Sequence, residues 1–292
     1  MLDPIVSFFT RLFQWIGRGL GYLIGVVMWP FLLAARWYWG RGWMLKGGGG
    51  AVILVVVALY GYFFYVTQFW TNFNPDYPAA LAQAREATAA GDPVDTAKGV
   101  SGQPAQSCKP SAIAGVSADL IDFNVNQNAW ISSMVLSKLG LFGIEWKNTP
   151  FFDNKAAFQL GINQVMRRTT TELVDTLGRV RGTSQIDQNL QDARTALAWS
   201  ETAWYIGLRG PTRPTPSVYR EAIGKLRAFN ASLEKCQATF DARADNLMQF
   251  LDRIASDIGS TFDILRARIE ASDAGWFDLR ADDRFWFAYG QL

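Results

Sequence analysis

Two cysteines and an absence of histidine bound the chemistry open to this chain of 292 residues. Without histidine there is no Ser-His-Asp or Cys-His nucleophile, no imidazole acid–base work and no His-ligated zinc. Two thiols cannot build a Cys₄ zinc site. The four glycines at 47–50 lack the Lys-Ser/Thr that a phosphate loop requires. Carboxylate-pair hydrolysis stays formally open with 26 acids, but these are scattered as on solvated helix faces. Asp278, Asp282 and Asp283 lie close together without the Gly and terminal Glu of a calcium loop. No catalytic residue, metal or cofactor is therefore assigned, and the expected protein is not an enzyme.

What Cys108 and Cys236 do depends on the compartment, which the membrane elements decide. Residues 51–70 are twenty in a row without a charged side chain, about 30 Å of helix and so a bilayer's hydrocarbon core. Arg11, Arg18, Arg36, Arg41 and Lys46 precede the run against one acid, Asp3, and the next charged residue is Asp76. Basic residues collect on the cytoplasmic flank, so the N-terminus reads as cytoplasmic and the remainder as exported. In a Gram-negative host this means an inner-membrane protein with a periplasmic domain. A cleaved signal peptide competes, but its apolar core would be shorter and lie within the first thirty residues.

Three regions follow: a Gly-, Trp- and Arg-rich membrane-associated segment at 1–50, a transmembrane helix at 51–70 and a domain at 71–292. On the exported side an oxidising compartment favours a Cys108–Cys236 disulfide, which would close a loop that chain entropy values at roughly 4–5 kcal/mol. Buried free thiols or an intermolecular bridge are the alternatives.

In the first region, Asp3, Ser7, Arg11, Gln14 and Arg18 share one helical face while Phe8, Leu12, Trp15, Ile16 and Leu23 fill the other. That is the pattern of a helix lying at the lipid–water boundary. The polar face also carries Gly17, Gly21 and Gly25, a small-residue ladder that lets two helix backbones approach, or glycine simply tolerated in lipid. Between Arg18 and Arg36 lies an uncharged stretch interrupted by Pro30. It could make a short kinked crossing or, as favoured here, stay at the interface. Trp37, Trp39 and Trp43, with Arg36, Arg41 and Lys46, would anchor the turn at headgroup depth. Glycines 47–50 read as a flexible joint.

Beyond residue 71 the pattern is helical almost throughout and no run alternates as a strand should, so the fold class is all-α. Helices are expected at 76–90, 117–139, 153–180 with Asp153 or Asn154 as cap, and 184–206. Residues 91–111 read as a loop, Gly182 as a stop, and Gly210, Pro211, Pro214 and Pro216 as a rigid connection. Tyr219, Leu226, Leu233, Phe240, Leu247 and Ile254 recur every seven residues. They predict a long C-terminal helix, or two collinear ones, packed along a seam.

Amides concentrate around 126–164, including Asn126, Gln127, Asn128, Gln159 and Asn163. Inter-helix hydrogen bonding and capping is the first reading and a polar ligand pocket the second. Trp276, Phe277, Phe285, Trp286, Phe287 and Tyr289 either fold back on the bundle or form a docking strip.

The stretch Asn126-Gln127-Asn128-Ala129-Trp130, the run from Trp146 to Gln159 and the run from Arg179 to Gln185 resemble a family of uncharacterised proteobacterial inner-membrane proteins, known only as a domain of unknown function. The resemblance implies an envelope location over nearly the whole chain and carries no activity. The leading expectation is a membrane-anchored, non-enzymatic scaffold or assembly protein. Its partners would be the lipid bilayer, further copies of itself (a ring being one outcome) and an envelope protein, with no nucleic acid. A periplasmic ligand-binding or sensor module and a membrane-shaping or pore-forming protein are the alternatives.

Overall fold

The computed structural model describes residues 3–83, 89–94, 107–141, 143–149, 152–178, 186–207, 210–272 and 281–292. They form two compact units, Met1–Gly61 and Tyr62–Leu292, and the fold is all-α.

In the first unit α1 runs over Asp3–Trp39 and contains Pro30. Proline removes the hydrogen bond to the carbonyl four residues earlier, at Val26. The helix bends by 41° there, between Phe13–Val26 and Met28–Trp39. A turn over residues 40–42 leads into α2, Trp43–Gln68. The expected joint at 47–50 is helical instead, and the reason is local. The Tyr38 ring lies against Gly49, where an added Cβ would stand 2.9 Å from Tyr38 Cε2, and its hydroxyl donates to the Lys46 carbonyl. The glycines make room for an aromatic ring. Arg41 sits 4.6 Å from the centre of the Trp37 ring and Lys46 sits 5.7 Å from that of Trp39, cation–π contacts within the turn.

α2 is long and apolar enough to cross a membrane, at 26 residues and about 39 Å. Its middle is apolar all round and uncovered, as at Val52, Leu54 and Val57. Phe63, Val66 and Thr67 near its end are buried.

The second unit begins with those last turns. Asn72 takes a left-handed φ of 55° and turns the chain into α3, Tyr77–Gln83. The expected loop at 91–111 holds a two-residue ladder, β1 (Pro93–Val94) with β2 (Ser107–Cys108). The core lies between α4 (Ala112–Asp122), α6 (Asn154–Glu172), α7 (Gln188–Leu197) and α8 (Thr215–Glu234). Ala118 and Ile121 meet Ile162 and Met166, Leu190 and Leu197, and Tyr219, Leu226 and Phe229 in one buried cluster.

The helix expected at 117–139 is broken. α4 runs into a π-helical turn at Phe123–Gln127, and only a 3₁₀ turn and the short α5 (Val135–Leu139) follow. α6 likewise ends in a π turn, Leu173–Leu177, so it stops before Gly182, which lies outside the described residues with the rest of 179–185. α7 is capped by Asp187, whose carboxylate accepts from the Asn189 and Leu190 amides, and ends nine residues before Ile206. Two short strands, β3 (Ile206–Gly207) and β4 (Gly210–Pro211), then lead into α8.

The single seam helix is also interrupted. α8 and α9 (Ala244–Ser272) are separate, because Cys236 adopts a left-handed φ of 55° just past α8. That position usually goes to glycine. Cysteine holds it here because its sulfur is bonded to Cys108, with the Cα atoms 5.3 Å apart. α10 (Ala281–Gln291) closes the chain onto α6.

The bridge joins residues 128 apart, so its removal frees a large loop. Exchanging Cys108 and Cys236 together for serine lowers stability by about 2–5 kcal/mol. Thermal denaturation followed by circular dichroism reads this as a lower Tm, and an unchanged Tm would show that the bridge does not hold the unit.

Candidate functional site

A helix end leaves its last carbonyls without donors. At the end of α2, Lys155 supplies them: its Nζ donates to the Val66 and Phe69 carbonyls, both at 2.9 Å. The same ammonium lies 5.4 Å from the centre of the Trp70 ring. Positive charge at the negative end of a helix dipole is favourable, whereas burial works against it. Lys155 is 2% exposed, and burial pulls its pKa down to about 8.

Phe63 packs 4.9 Å from Trp146, and Phe64 packs 5.8 Å from Phe152. On the other side Trp70 stacks on Trp286 at 5.5 Å and meets Phe158 edge-on at 5.0 Å. Phe73 and Tyr289 complete the cluster. The π turn of α4 adds a clasp: Asn128 accepts from the Thr71 amide and donates to the Thr71 carbonyl, and Asn72 donates to Gln127.

α10 reaches this cluster because glycines let it lie on α6. A Cβ at Gly161 would stand 2.1 Å from the Phe287 carbonyl oxygen, and one at Gly290 would stand 2.2 Å from that of Phe158. At the start of both helices Asp153 faces Asp283. Burial first, then the charge of Asp283 and a hydrogen bond with it, then Asp282, push the Asp153 carboxyl up to about 8. A buried carboxyl facing a second acid ionises at a cost, so at neutral pH Asp153 keeps its proton.

Beside the cluster lies a cavity of about 550 Å³, lined by residues from the 72–81 segment, α4, α6 and the end of α10. Phe158, Ile162 and Met166 are buried within its lining, while the polar groups Asn72, Asn74, Asp119 and Gln127 are exposed. The volume suits a small-molecule site, roughly 300–1,000 Å³.

The residues singled out from sequence are distributed as follows. Cys108 and Cys236 are bonded. Gly17, Gly21 and Gly25 lie in α1 with nothing within 4 Å of an added Cβ. Arg36, Trp37, Trp39, Arg41, Trp43 and Lys46 gather at the turn between α1 and α2. The amides are structural: Gln159 donates to the Asn124 and Ala129 carbonyls and accepts from the Ile131 amide, and Asn163 donates to Tyr219 and Glu201. Trp286 and Tyr289 fold back on the bundle, whereas Trp276, Phe277 and Asp278 lie outside the described residues. Asp153 precedes α6 as expected, but its side chain caps nothing. Among the described residues no group of three or more acids or cysteines could hold a metal ion.

Lys155 and the cavity were not found from sequence. A lysine among Asn154, Ala156 and Ala157 looks like any solvated helix residue, and its partners are backbone atoms almost ninety positions away.

A family model described as an uncharacterized protein conserved in bacteria matches residues 124–281, more than half of the chain. The match runs from the π turn of α4 to the first residue of α10 and includes Asp153, Lys155 and Gly161. No curated protein and no solved structure matches the chain.

The proton held by Asp153 makes the α6–α10 contact pH-dependent. A carboxyl whose folded pKa is raised stabilises fully below its unfolded value, near 4, and loses that contribution as pH rises to its folded value, about 8. Lys155, whose pKa is depressed, works in the opposite sense above pH 8. Tm should therefore fall from pH 5 to 8. In Asp283→Asn, which leaves one ionisable carboxyl with an amide donor, that fall should be much smaller, as melting curves over this range will show.

Proposed function

The chain belongs to the bacterial family DUF2333, and from that premise we propose that it is a membrane-anchored, non-enzymatic scaffold or assembly protein of the cell envelope. In this reading α2 spans the inner membrane, the N-terminus is cytoplasmic, the Tyr62–Leu292 unit is periplasmic, and copies associate with one another. The family brings no activity. The non-catalytic part of the reading is supported by the side-chain inventory, with no histidine in the chain. The compartment is supported by the basic flank of α2 and by the disulfide.

One observation carries the assembly part. α9 packs only one face on the bundle, anchored by Arg253 to buried Glu172 at 2.9 Å and by Arg168 of α6 to Asp257 at 3.3 Å. Its other face presents a second apolar row. Met248, Ala255, Phe262 and Ile269 recur every seven residues, interleaved with Leu251, Ile258 and Leu265. Met248, Leu251, Phe262 and Ile269 are each more than half exposed. An a/d row of this length is the seam of a coiled coil. The bare ladder of Gly17, Gly21 and Gly25 supplies a separate contact between α1 helices.

Native mass spectrometry of the full chain in mild detergent checks this. The wild type should be oligomeric, Phe262→Glu should drop the copy number, and Gly21→Leu should weaken what remains. A monomer at micromolar concentration would refute self-association. An alkaline phosphatase fused after Leu292 should be active in a Gram-negative host, and cytosolic reporter activity at that position would overturn the topology.

A further inference from the structure

The cavity beside the aromatic cluster is built for an apolar guest, and its position says where that guest comes from. Its interior is mainly Phe73, Leu120, Phe158, Ile162, Val165 and Met166, and the buried amide of its lining, Gln291, accepts from Thr261 on α9, a poor match to the several convergent polar groups that orient a sugar, a nucleotide or a peptide. Of its polar lining residues Asn72, Asn74, Asp119 and Gln127 are exposed and Tyr77 is half-buried, so a guest would bury a chain and leave a head on that side.

The wall begins at Asn72, four residues past the last residue of α2. Four extended residues reach at most about 14 Å, so the cavity lies close to the end of the apolar helix. That end carries Tyr62, Phe64, Tyr65 and Phe69, each 50–59% exposed, the aromatic residues that settle at a lipid–water boundary. The cavity is thus within one headgroup layer of lipid if α2 is the span, the reading on which this inference rests.

Charge narrows the guest further. No lysine or arginine lines the cavity, and Asp119 does. A free fatty acid would set its carboxylate against that aspartate, and the nearby guanidinium of Arg227, which is not in the lining, is already paired with Asp119 at 3.4 Å. A chain attached to a zwitterionic or neutral head meets no such penalty, and the exposed amides of Asn72, Asn74 and Gln127 can hydrogen-bond a phosphate or ester oxygen.

We propose that this cavity takes one acyl chain of a membrane phospholipid from the leaflet at the end of α2, so that the bundle holds a lipid partly lifted from the bilayer. The guest leans on the wall formed by α4 and α6, and its head lies over the 72–77 segment.

The test uses the full chain in nanodiscs of phosphatidylcholine in which a fraction of the lipid carries a photoreactive diazirine on its acyl chain. After illumination, peptide mapping should find adducts on α2, as for any spanning helix, and also on residues 116–123 and 158–166. Val165→Trp, which fills the cavity from α6, should reduce the second set at least tenfold and leave the α2 adducts unchanged. Leu120→Trp does the same from α4, should the first variant melt early. Diazirine-labelled stearate at pH 9 should label the cavity far less than the phospholipid.

Adducts confined to α1 and α2, or cavity adducts indifferent to both tryptophans, would overturn the proposal. Stronger labelling by stearate would also overturn it, by assigning the guest to a free acid. Absence of adducts on α2 would instead refute the spanning helix itself, which keeps the two failures apart.

Discussion

Everything in the Tyr62–Leu292 unit is arranged around one unmet need, the open carbonyls at the end of an apolar helix. Inside a bilayer a helix satisfies its own backbone, but its last turn cannot. Water would serve at an exposed end. Here Val66 is buried, so a donor has to come from the protein. Two neutral donors would have sufficed. The chain instead uses one ammonium, with charge-assisted bonds of about 1.5–3 kcal/mol each, the helix dipole and the Trp70 ring set against the expense of burying the charge. An aliphatic side chain of Lys155's length would fill the same space and leave both carbonyls dry, at about 1–3 kcal/mol apiece. The ammonium is therefore better understood as a plug for a helix end than as an active group.

That plug demands a rigid mount, which explains the crossing of α6 and α10. Lys155 sits in the first turn of α6, and the Trp70 ring it faces is held from behind by Trp286 on α10. The rings can stack only if the two helix backbones nearly touch. Gly161 and Gly290 permit this, since any side chain at either place would drive into a carbonyl. The close approach also sets Asp153 facing Asp283, and Asp153 answers by keeping its proton to higher pH. The aromatic stack, the glycine crossing and the acid pair are thus one arrangement seen at three points along the same pair of helices.

The parts legible in sequence were those governed by short-range periodicity or by composition. The twenty uncharged residues marked α2, the heptad row marked the packed faces of α8 and α9, and the pairing of Cys108 with Cys236 was the favoured reading of the only two cysteines, both on a part read as exported. Breaks were harder. Residues 117–139 have helical composition throughout, yet Asn128 is drawn out of the helix to hold the backbone of Thr71. Gln159, from another helix, takes the carbonyls and amide freed behind it. Those partners are 28–57 positions away, beyond any local pattern. The four glycines misled for the same reason. Two of them, Gly49 and Gly50, meet the ring of Tyr38, which composition cannot place.

The amides and α9 illustrate opposite uses of surplus. Asn124, Asn128, Gln159 and Asn163 are polar side chains buried at 6% exposure or less, which is expensive unless each finds partners. All four do, and so they specify one packing of irregular turns where apolar residues would allow several. α9 shows the reverse, apolar side chains in the open where a polar residue would be free of penalty. Met248, Leu251 and Phe262 are each more than half exposed, and apolar patches of this kind tend to draw molecules together. Beside core helices that bury four amides, a regular stripe of exposed apolar residues on one helix face is hard to understand as slack. It is the surface that the proposed self-association would cover.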